Sequence, residues 1–514
     1  MSFSPLADFF RENISPTSSS PKFKRPRAPF YLEHWCPWIR AQNTSTSYLY
    51  FPHKIDEISP KYSNRLVSSV RKELGKAGFY HSFIIKTLWG VTWKSIASMS
   101  GNPELPSREI GGENEEKHVD GEFLIVAGEG AAVRFANNIE ERSQARVLFL
   151  PQKPVDMLEK EAGEKVNSEI EVINASYLGT FEDGVYAINR EKRRIYRLNI
   201  HKIVFFTGLR DAFPVFENND IPGIVSAQLA IQLINNYSAL ERVKRVAVIV
   251  NENRGLKEAE ELSRKKEVNI LVTGAFKNNE LSRELGAIPV EELEAVGYQR
   301  LEKIKILHPQ KEIIEVDLLV SAIKAVPEIE PALQFGGELK YSQRLGAITV
   351  STNMGKIEGT EGVYLLGSAS GTPEDKLLEE VDLFSKLLVK EELSASEEKK
   401  IHEIQSSKKL EPLDVTEIRE APDFLLTRSY GGWKFVCPCQ DVTLEDVLRA
   451  YDMGYKDIER IKRFTALGTG SCQGRICRFS VALLLSFLRG IPLGSLGSFR
   501  QRVPIEPIET GFLS

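Results

Sequence analysis

Cysteine is scarce: five in 514 residues. Charge of one sign is not in excess either, and long apolar runs are missing. The scarcity argues against a disulfide-stapled secreted scaffold. A formal net charge of −4 provides no basic field to recruit nucleic acid or an anionic membrane surface. The most apolar run, Val481 to Leu488, is far shorter than the ~20 residues that a membrane span needs. No charged-then-apolar leader opens the sequence, so the expected location is a reducing cytoplasm. What remains is ordinary globular composition, 42% hydrophobic and 27% charged, long enough for roughly two to four domains.

Four of the five cysteines cluster near the C-terminus as two close pairs, Cys437/Cys439 (C-x-C) and Cys472/Cys477 (C-x4-C). Clustering of this kind in a cysteine-poor chain points to a metal site. The residues between them explain how the pairs can meet. Thr443 can cap a helix, with Asp446 in a capping-box position. Leu444, Val447, Leu448 and Tyr451 then recur at helical spacing, and Gly454 can end the helix. Gly470 and Gly474 allow backbone N–H groups to approach sulfur closely. A helix starting near Cys472, flanked by Arg475 and Arg478, would favour thiolates over thiols. Four thiolates in a small helical fold suit a 2Fe–2S cluster or zinc. The competing reading is four buried structural thiols. Cys36 reads as buried.

Residues 121–152 predict a βαβ unit: strand Phe123–Val126, the turn Gly128-Glu129-Gly130, a helix, and strand Arg146–Leu150. A dinucleotide fingerprint belongs here, and only its first two glycines are present. Val133 stands at the third, and Gln152 replaces the acidic residue expected on ribose hydroxyls. Glu129 puts a carboxylate where pyrophosphate would lie. Fold and site can part company in this way, so occupancy by FAD or NAD and loss of the site both stay open. Residues 245–275 predict a second strand–helix–strand unit with asparagines, Asn251 and Asn253, where glycines would stand. Residues 391–425, rich in Lys, Glu and Ser, read as a charged linker. Residues 498–514 read as an extended arm. Pro504 and Pro507 stiffen it, Ile505, Ile508, Phe512 and Leu513 are apolar anchors with no internal core, and Arg500 and Arg502 are ready for an anionic partner.

CPCQDVT and CQGRIC resemble the C-x-C-E-D-V-T and C-Q-G-R-x-C motifs of the bacterioferritin-associated-ferredoxin-like 2Fe–2S domain, with Gln440 the one departure. The copy they resemble is that of the alpha subunit of heterotetrameric sarcosine oxidase and its shorter relatives: dye-linked proline dehydrogenase, hydrogen cyanide synthase and opine oxidase subunits. Other segments agree with that family. Lys22–Arg27 resembles its K-Y-H-R-P-R-G and Ala77-Gly78-Phe79-Tyr80 its A-G-F-Y. Thr207-Gly208 and Asn219-Asp220-Ile221-Pro222-Gly223 resemble the crossover behind its dinucleotide site. Leu339-Lys340-Tyr341 and Leu345-Gly346-Ala347 resemble L-R-Y and L-G-A, and Gly367-Ser368 stands where Gly-Asp is usual. Ser498–Ile505 resembles the F-R-P-P-x-x-P tail. Sarcosine oxidase alpha subunits continue into a folate-binding domain; this sequence stops where the shorter relatives do.

The resemblance implies an α/β protein with a Rossmann-like core of two FAD/NAD-type dinucleotide-binding domains. It implies a truncated ferredoxin-like region at 1–110, the core at 111–390 with a second subdomain about 240–310, and a helical 2Fe–2S domain at 426–497. Cys437, Cys439, Cys472 and Cys477 would hold the cluster, with zinc as the alternative metal. Gly128, Gly130, Gln152, Thr207, Gly208, Gly367 and Ser368 would line the FAD or NAD site. The implied function is electron transfer within a hetero-oligomeric oxidoreductase acting on CH–NH groups of sarcosine or proline type. A beta-type, amine-oxidising flavoprotein would be the partner, with further small subunits. No catalytic residue is assigned to this chain. The alternative is a structural or assembly subunit with a degenerate dinucleotide site and zinc or a cluster at the cysteines.

Overall fold

The computed structural model describes residues 115–236, 243–274, 276, 280–297, 300–470, 472–499, 501, 503–505 and 508. All of them belong to one compact unit. The ferredoxin-like expectation for 1–110, with Cys36, Lys22–Arg27 and Ala77–Tyr80, lies outside the described residues, as do Arg500, Arg502, Phe512 and Leu513.

The first βαβ unit forms as its pattern requires. Strand β1 (Glu115–Ala127) runs into helix α1 (Ala131–Ser143) and then strand β2 (Val147–Pro151). The run Phe123–Ala127 has no exposed surface, as expected of a parallel strand covered on both faces. Helix α1 turns Ala132, Phe135, Ala136 and Ile139 inward at helical spacing. Strand β1 pairs in parallel with β2 on one side and with Arg194–Phe206 on the other; Val363–Leu365 then extends the sheet. The C-terminal ends of these strands open onto Gly128, Thr207 and Gly367, where ligands of open α/β sheets bind.

A second parallel sheet has the order Ile288–Pro289, Glu267–Val272, Arg245–Val250, Leu318–Ala322, Ile224–Ser226. It takes strands from both flanks of 240–310, so this subdomain is wider than the sequence suggests. The two units make the chain the Rossmann-like, doubly built α/β fold expected.

Residues 391–425 do not behave as a linker. Ser394 and Glu397 close a capping box on helix Ala395–Ser407, which buries Ile401 and Ile404 in the core beneath α1. Strand Leu410–Pro412 then pairs with Leu339–Ser342. The high charge belongs to the outer face of this helix; its apolar residues three apart dock it.

The C-terminal part has strand Phe435–Cys437 paired with Val442–Thr443, then helices Leu444–Asp452, Ile458–Thr465 and Arg478–Arg489. The Thr443–Asp446 capping box forms as expected. This part shares one apolar core with the first sheet: Leu124, Phe205 and Phe424 belong to the same cluster as Cys437, Ile461 and Leu484. Asn219, fully buried, ties the two together. Its side chain donates to the carbonyls of Pro214 (2.7 Å) and Phe435 (2.8 Å) and accepts from the Phe435 N–H (2.9 Å).

The tail also departs from expectation. Phe499 is buried against Gly468 and Gly474. The Ile505 N–H donates to the Leu178 carbonyl (2.8 Å) and its side chain is buried in the shared core, while Ile508 packs beside Leu178 and Ile188. These anchors therefore have a core in their own chain. Among the described residues, no helix is long and apolar enough to cross a membrane.

Candidate metal centre and dinucleotide crevice

The cysteines arrive from two directions. Cys437 ends its strand and Cys439 follows in the turn. Cys472 and Cys477 bracket the loop that leads into helix Arg478–Arg489. Cys477, not Cys472, caps that helix. The helix starts five residues later than expected because Gln473 and Gly474 take left-handed conformations, φ 52° and 84°. Cys437, Cys472 and Cys477 are buried and Cys439 is half-buried.

The Sγ atoms of Cys437 and Cys439 lie 3.6 Å apart, and those of Cys439 and Cys472 lie 3.7 Å apart. Cys477 interacts with Cys437 on the far side. Two thiolates bound tetrahedrally to one ion at ~2.3 Å are about 3.8 Å apart, so the spacing fits shared metal ligation. The sulfurs form a string, and among the described residues no three His, Cys, Asp or Glu side chains converge as a finished cage. The loops fit sulfur closely all the same. A Cβ on Gly470 would sit 2.5 Å from Cys439 Sγ, so only glycine fits there. The N–H groups of Ile476 and Gly474 hydrogen-bond to the Cys472 sulfur, as the glycine-rich loop suggests. As bare thiols the groups resist ionisation: hydrogen bonding with Cys437, then burial, push Cys439 up to about 12. A coordinated cation inverts this order and deprotonates its thiols.

Around the first crevice several of the expected residues gather, with their polar groups already engaged. A cavity of about 500 Å³ is lined by Gly128, Gly130, Ser368 and Glu129, with Arg134, Lys153 and Arg254 as its cations. Gly128 is required by packing, since a Cβ would meet the Thr207 carbonyl at 2.2 Å. The backbone donors are already taken. The Gly130 N–H donates to Glu161 Oε2 (3.0 Å), Ser368 N–H to Glu129 Oε1 (2.9 Å), and Gly367 N–H to Glu380 Oε2 (2.7 Å). The cations are taken as well. Lys153 bonds Glu161 (2.7 Å), Arg134 grips Asp382 (3.0 and 2.9 Å), and Arg254 bonds Asp211. The chain's own carboxylates thus stand on the amides that pyrophosphate would use.

Gln152 and Thr207 face elsewhere, lining a small second cavity with Glu330 and Arg475; Gly208 lies under Glu129. Sequence reasoning missed Glu161, which lies 31 positions from Gly130 with no local mark of its role. It also missed the buried pair Lys408–Glu380 (3.1 Å) beneath Gly367.

Glu129 lines the cavity, yet its carboxylate sits deep. Burial, partly offset by hydrogen bonds from Ser368, raises it from the usual 4.5 to about 7. Between those pH values the folded chain keeps a proton that the unfolded chain releases. Stability therefore falls as pH rises through that window, by up to roughly 3 kcal/mol, less where cavity water solvates the group, and the loss persists above it. Glu129→Gln keeps an acceptor for Ser368 and should remove this term. Urea unfolding at pH 5 and pH 8 checks it: the variant should lose less stability than the parent, and equal losses would refute the assignment.

Residues 431–514 match the family described as the sarcosine oxidase A3 domain. An opine oxidase subunit from Rhizobium meliloti is 23% identical over 186 residues, 35% of each chain. The alpha subunit of sarcosine oxidase from Corynebacterium sp. (strain U-96) is 22% identical over 483 residues, 81% of this chain and 47% of that one. The chain thus spans less than half the length of either relative. The crystal structure of L-proline dehydrogenase from P. horikoshii superposes with a TM-score of 0.61 at 23% identity, over 78% of this chain and 81% of that one, and shares its fold. The resemblance to sarcosine oxidase alpha and opine oxidase subunits read from the sequence is borne out; none of these matches bears on its 2Fe–2S part.

Proposed function

We propose that this chain is the alpha-type, electron-transfer subunit of a hetero-oligomeric oxidoreductase acting on the CH–NH group of a secondary amine or amino acid of sarcosine or proline type. A beta-type flavoprotein partner would oxidise the amine, with further small subunits attached. One observation carries the reading: in a sarcosine-oxidase-type domain the Cys437 and Cys439 sulfurs lie 3.6 Å apart and Cys439 meets Cys472 of the second pair at 3.7 Å. Cys437, Cys439, Cys472 and Cys477 would hold a 2Fe–2S cluster, which accepts and passes one electron at a time. Hydrogen bonds link Cys477 to Cys437, Cys437 to Cys439 and Cys439 to Cys472, so all four thiols lie in one run of contacts. The chain's part is to bury three of the thiolates and to aim backbone amides at sulfur, which stabilises negative charge there.

The crevice is not given a cofactor in this reading, because its amides are bound by Glu161, Glu129 and Glu380. That same observation favours a second reading, a structural subunit with zinc at the cysteines, since the sulfur spacing also fits the edge of a zinc tetrahedron.

Anaerobic purification with the co-expressed partner tests both. Iron and labile sulfide in equal amounts, with visible cluster bands, are expected. A colourless zinc protein would move the reading to the structural one, and protein without either metal would overturn it. Co-purification should weaken when residues 509–514 are deleted, and an unchanged partner yield would remove the docking role from that tail.

A further inference from the structure

Arg478 is the largest fully buried side chain among the described residues, 2% exposed. Its visible partners are all neutral. Nη2 donates to the Gln473 carbonyl (3.3 Å) and to Gln501 Oε1. The Phe479 and Phe499 rings lie 5.8 and 5.7 Å from the guanidinium carbon. Nε and Nη1 have no hydrogen-bond partner among the described residues. Glu330 is a carboxylate whose field reaches this side chain, but Arg210 already grips both its oxygens at 2.9 Å. Arg210 offsets part of that field, and no carboxylate is among the hydrogen-bond partners of Arg478.

A buried cation with two idle donors is costly unless an anion lies within reach. The cysteine loop is where this one points. Arg478 Nε lies 3.7 Å from the Cβ position of Gly474, between Cys472 and Cys477, and both thiols act on the guanidinium electrostatically. Four thiolates around a 2Fe–2S cluster or a zinc ion make a net anion, and one-electron reduction of a cluster adds to it.

We propose that Arg478 is the buried counter-ion of the metal–thiolate centre, its idle Nε and Nη1 donors serving that anion. The inference rests on the cysteines binding metal. It assigns Arg478 a positioning and electrostatic role: its charge holds metal in place and, for a cluster, raises the reduction potential by favouring the more negative reduced form.

The test uses the full chain, purified anaerobically, as parent, Arg478→Lys and Arg478→Met. Metal content comes first; a parent without iron or zinc refutes the underlying reading. In a cluster protein, Arg478→Met should lower the midpoint potential by at least the equivalent of a tenfold change, ~59 mV for one electron, while Arg478→Lys stays near the parent. In a zinc protein, release of zinc to a chelator should quicken at least tenfold in Arg478→Met and little in Arg478→Lys. Equal potentials or release rates in parent and Arg478→Met would overturn the inference. So would equal shifts in both variants, which would mean packing rather than charge. Should neither variant fold, a crystal structure of the metal-loaded parent decides: a guanidinium beyond hydrogen-bond range of every sulfur overturns it.

Discussion

Cys472→Ser should empty the metal centre and cost the chain more than about 3 kcal/mol of stability, the range expected when a structural ligand set is lost. Serine offers a hard oxygen whose proton is not displaced at neutral pH, where soft metals select thiolate. Cys472 also touches Cys439 at 3.7 Å, accepts the Ile476 and Gly474 amides, and packs with Phe213. The charged stretch before residue 426 reads as a linker that would confine the damage to the C-terminal domain. The structure spreads it instead. Arg210 holds the Arg475 carbonyl, Asn219 holds Phe435, and one apolar core runs from Leu124 to Cys437 and Leu484. Thermal unfolding of the variant should thus show one lowered transition with little or no surviving parental step. Full iron or zinc content in Cys472→Ser would refute the ligand assignment, and an unshifted second transition would refute the shared core.

What the sequence made legible were features that act over a few residues. The C-x-C and C-x4-C pairs, the Thr443–Asp446 cap, Gly470 against the Cys439 sulfur and the Gly474 amide on the Cys472 sulfur are local features, and the cap and both glycines are found in place. Helix Ala395–Ser407 was legible too, through Ser394, Glu397 and the spacing of Ile401 and Ile404, but overall charge obscured it. Other features depend on contacts that the linear order does not carry. Glu161 reaches Gly130 only because the helix Val155–Ala162 packs against the turn. Gln152 turns from the crevice to a different cavity, and Ile505 finds Leu178 across the chain. The late helix start at Cys477 follows from two left-handed residues, Gln473 and Gly474, of which only the glycine advertises that conformation.

The second large effect concerns the crevice. Val133→Gly with Gln152→Glu rebuilds the fingerprint on paper, but the structure gives that pair little purchase. Val133 is fully buried, so glycine there opens a void, and Gln152 lines the other cavity. The obstruction is Glu161 on the Gly130 amide and Glu129 on the Ser368 amide. Glu129→Ala with Glu161→Ala frees both donors and removes two carboxylates from the cavity. It also releases Lys153, now bound to Glu161 at 2.7 Å, to meet phosphate. Each charge-assisted hydrogen bond regained by a ligand contributes about 1.5–3 kcal/mol. Two of them correspond to roughly a hundredfold to ten-thousandfold gain in affinity. Calorimetric titration with FAD, NAD and ADP should therefore find weak or no binding to the parent and clear binding of at least one ligand to the double variant. Val133→Gly/Gln152→Glu should remain as weak as the parent and less stable. Tight stoichiometric dinucleotide in the parent would show that the carboxylates yield to ligand, and a double variant no better than the parent would show that they are not what closes the site.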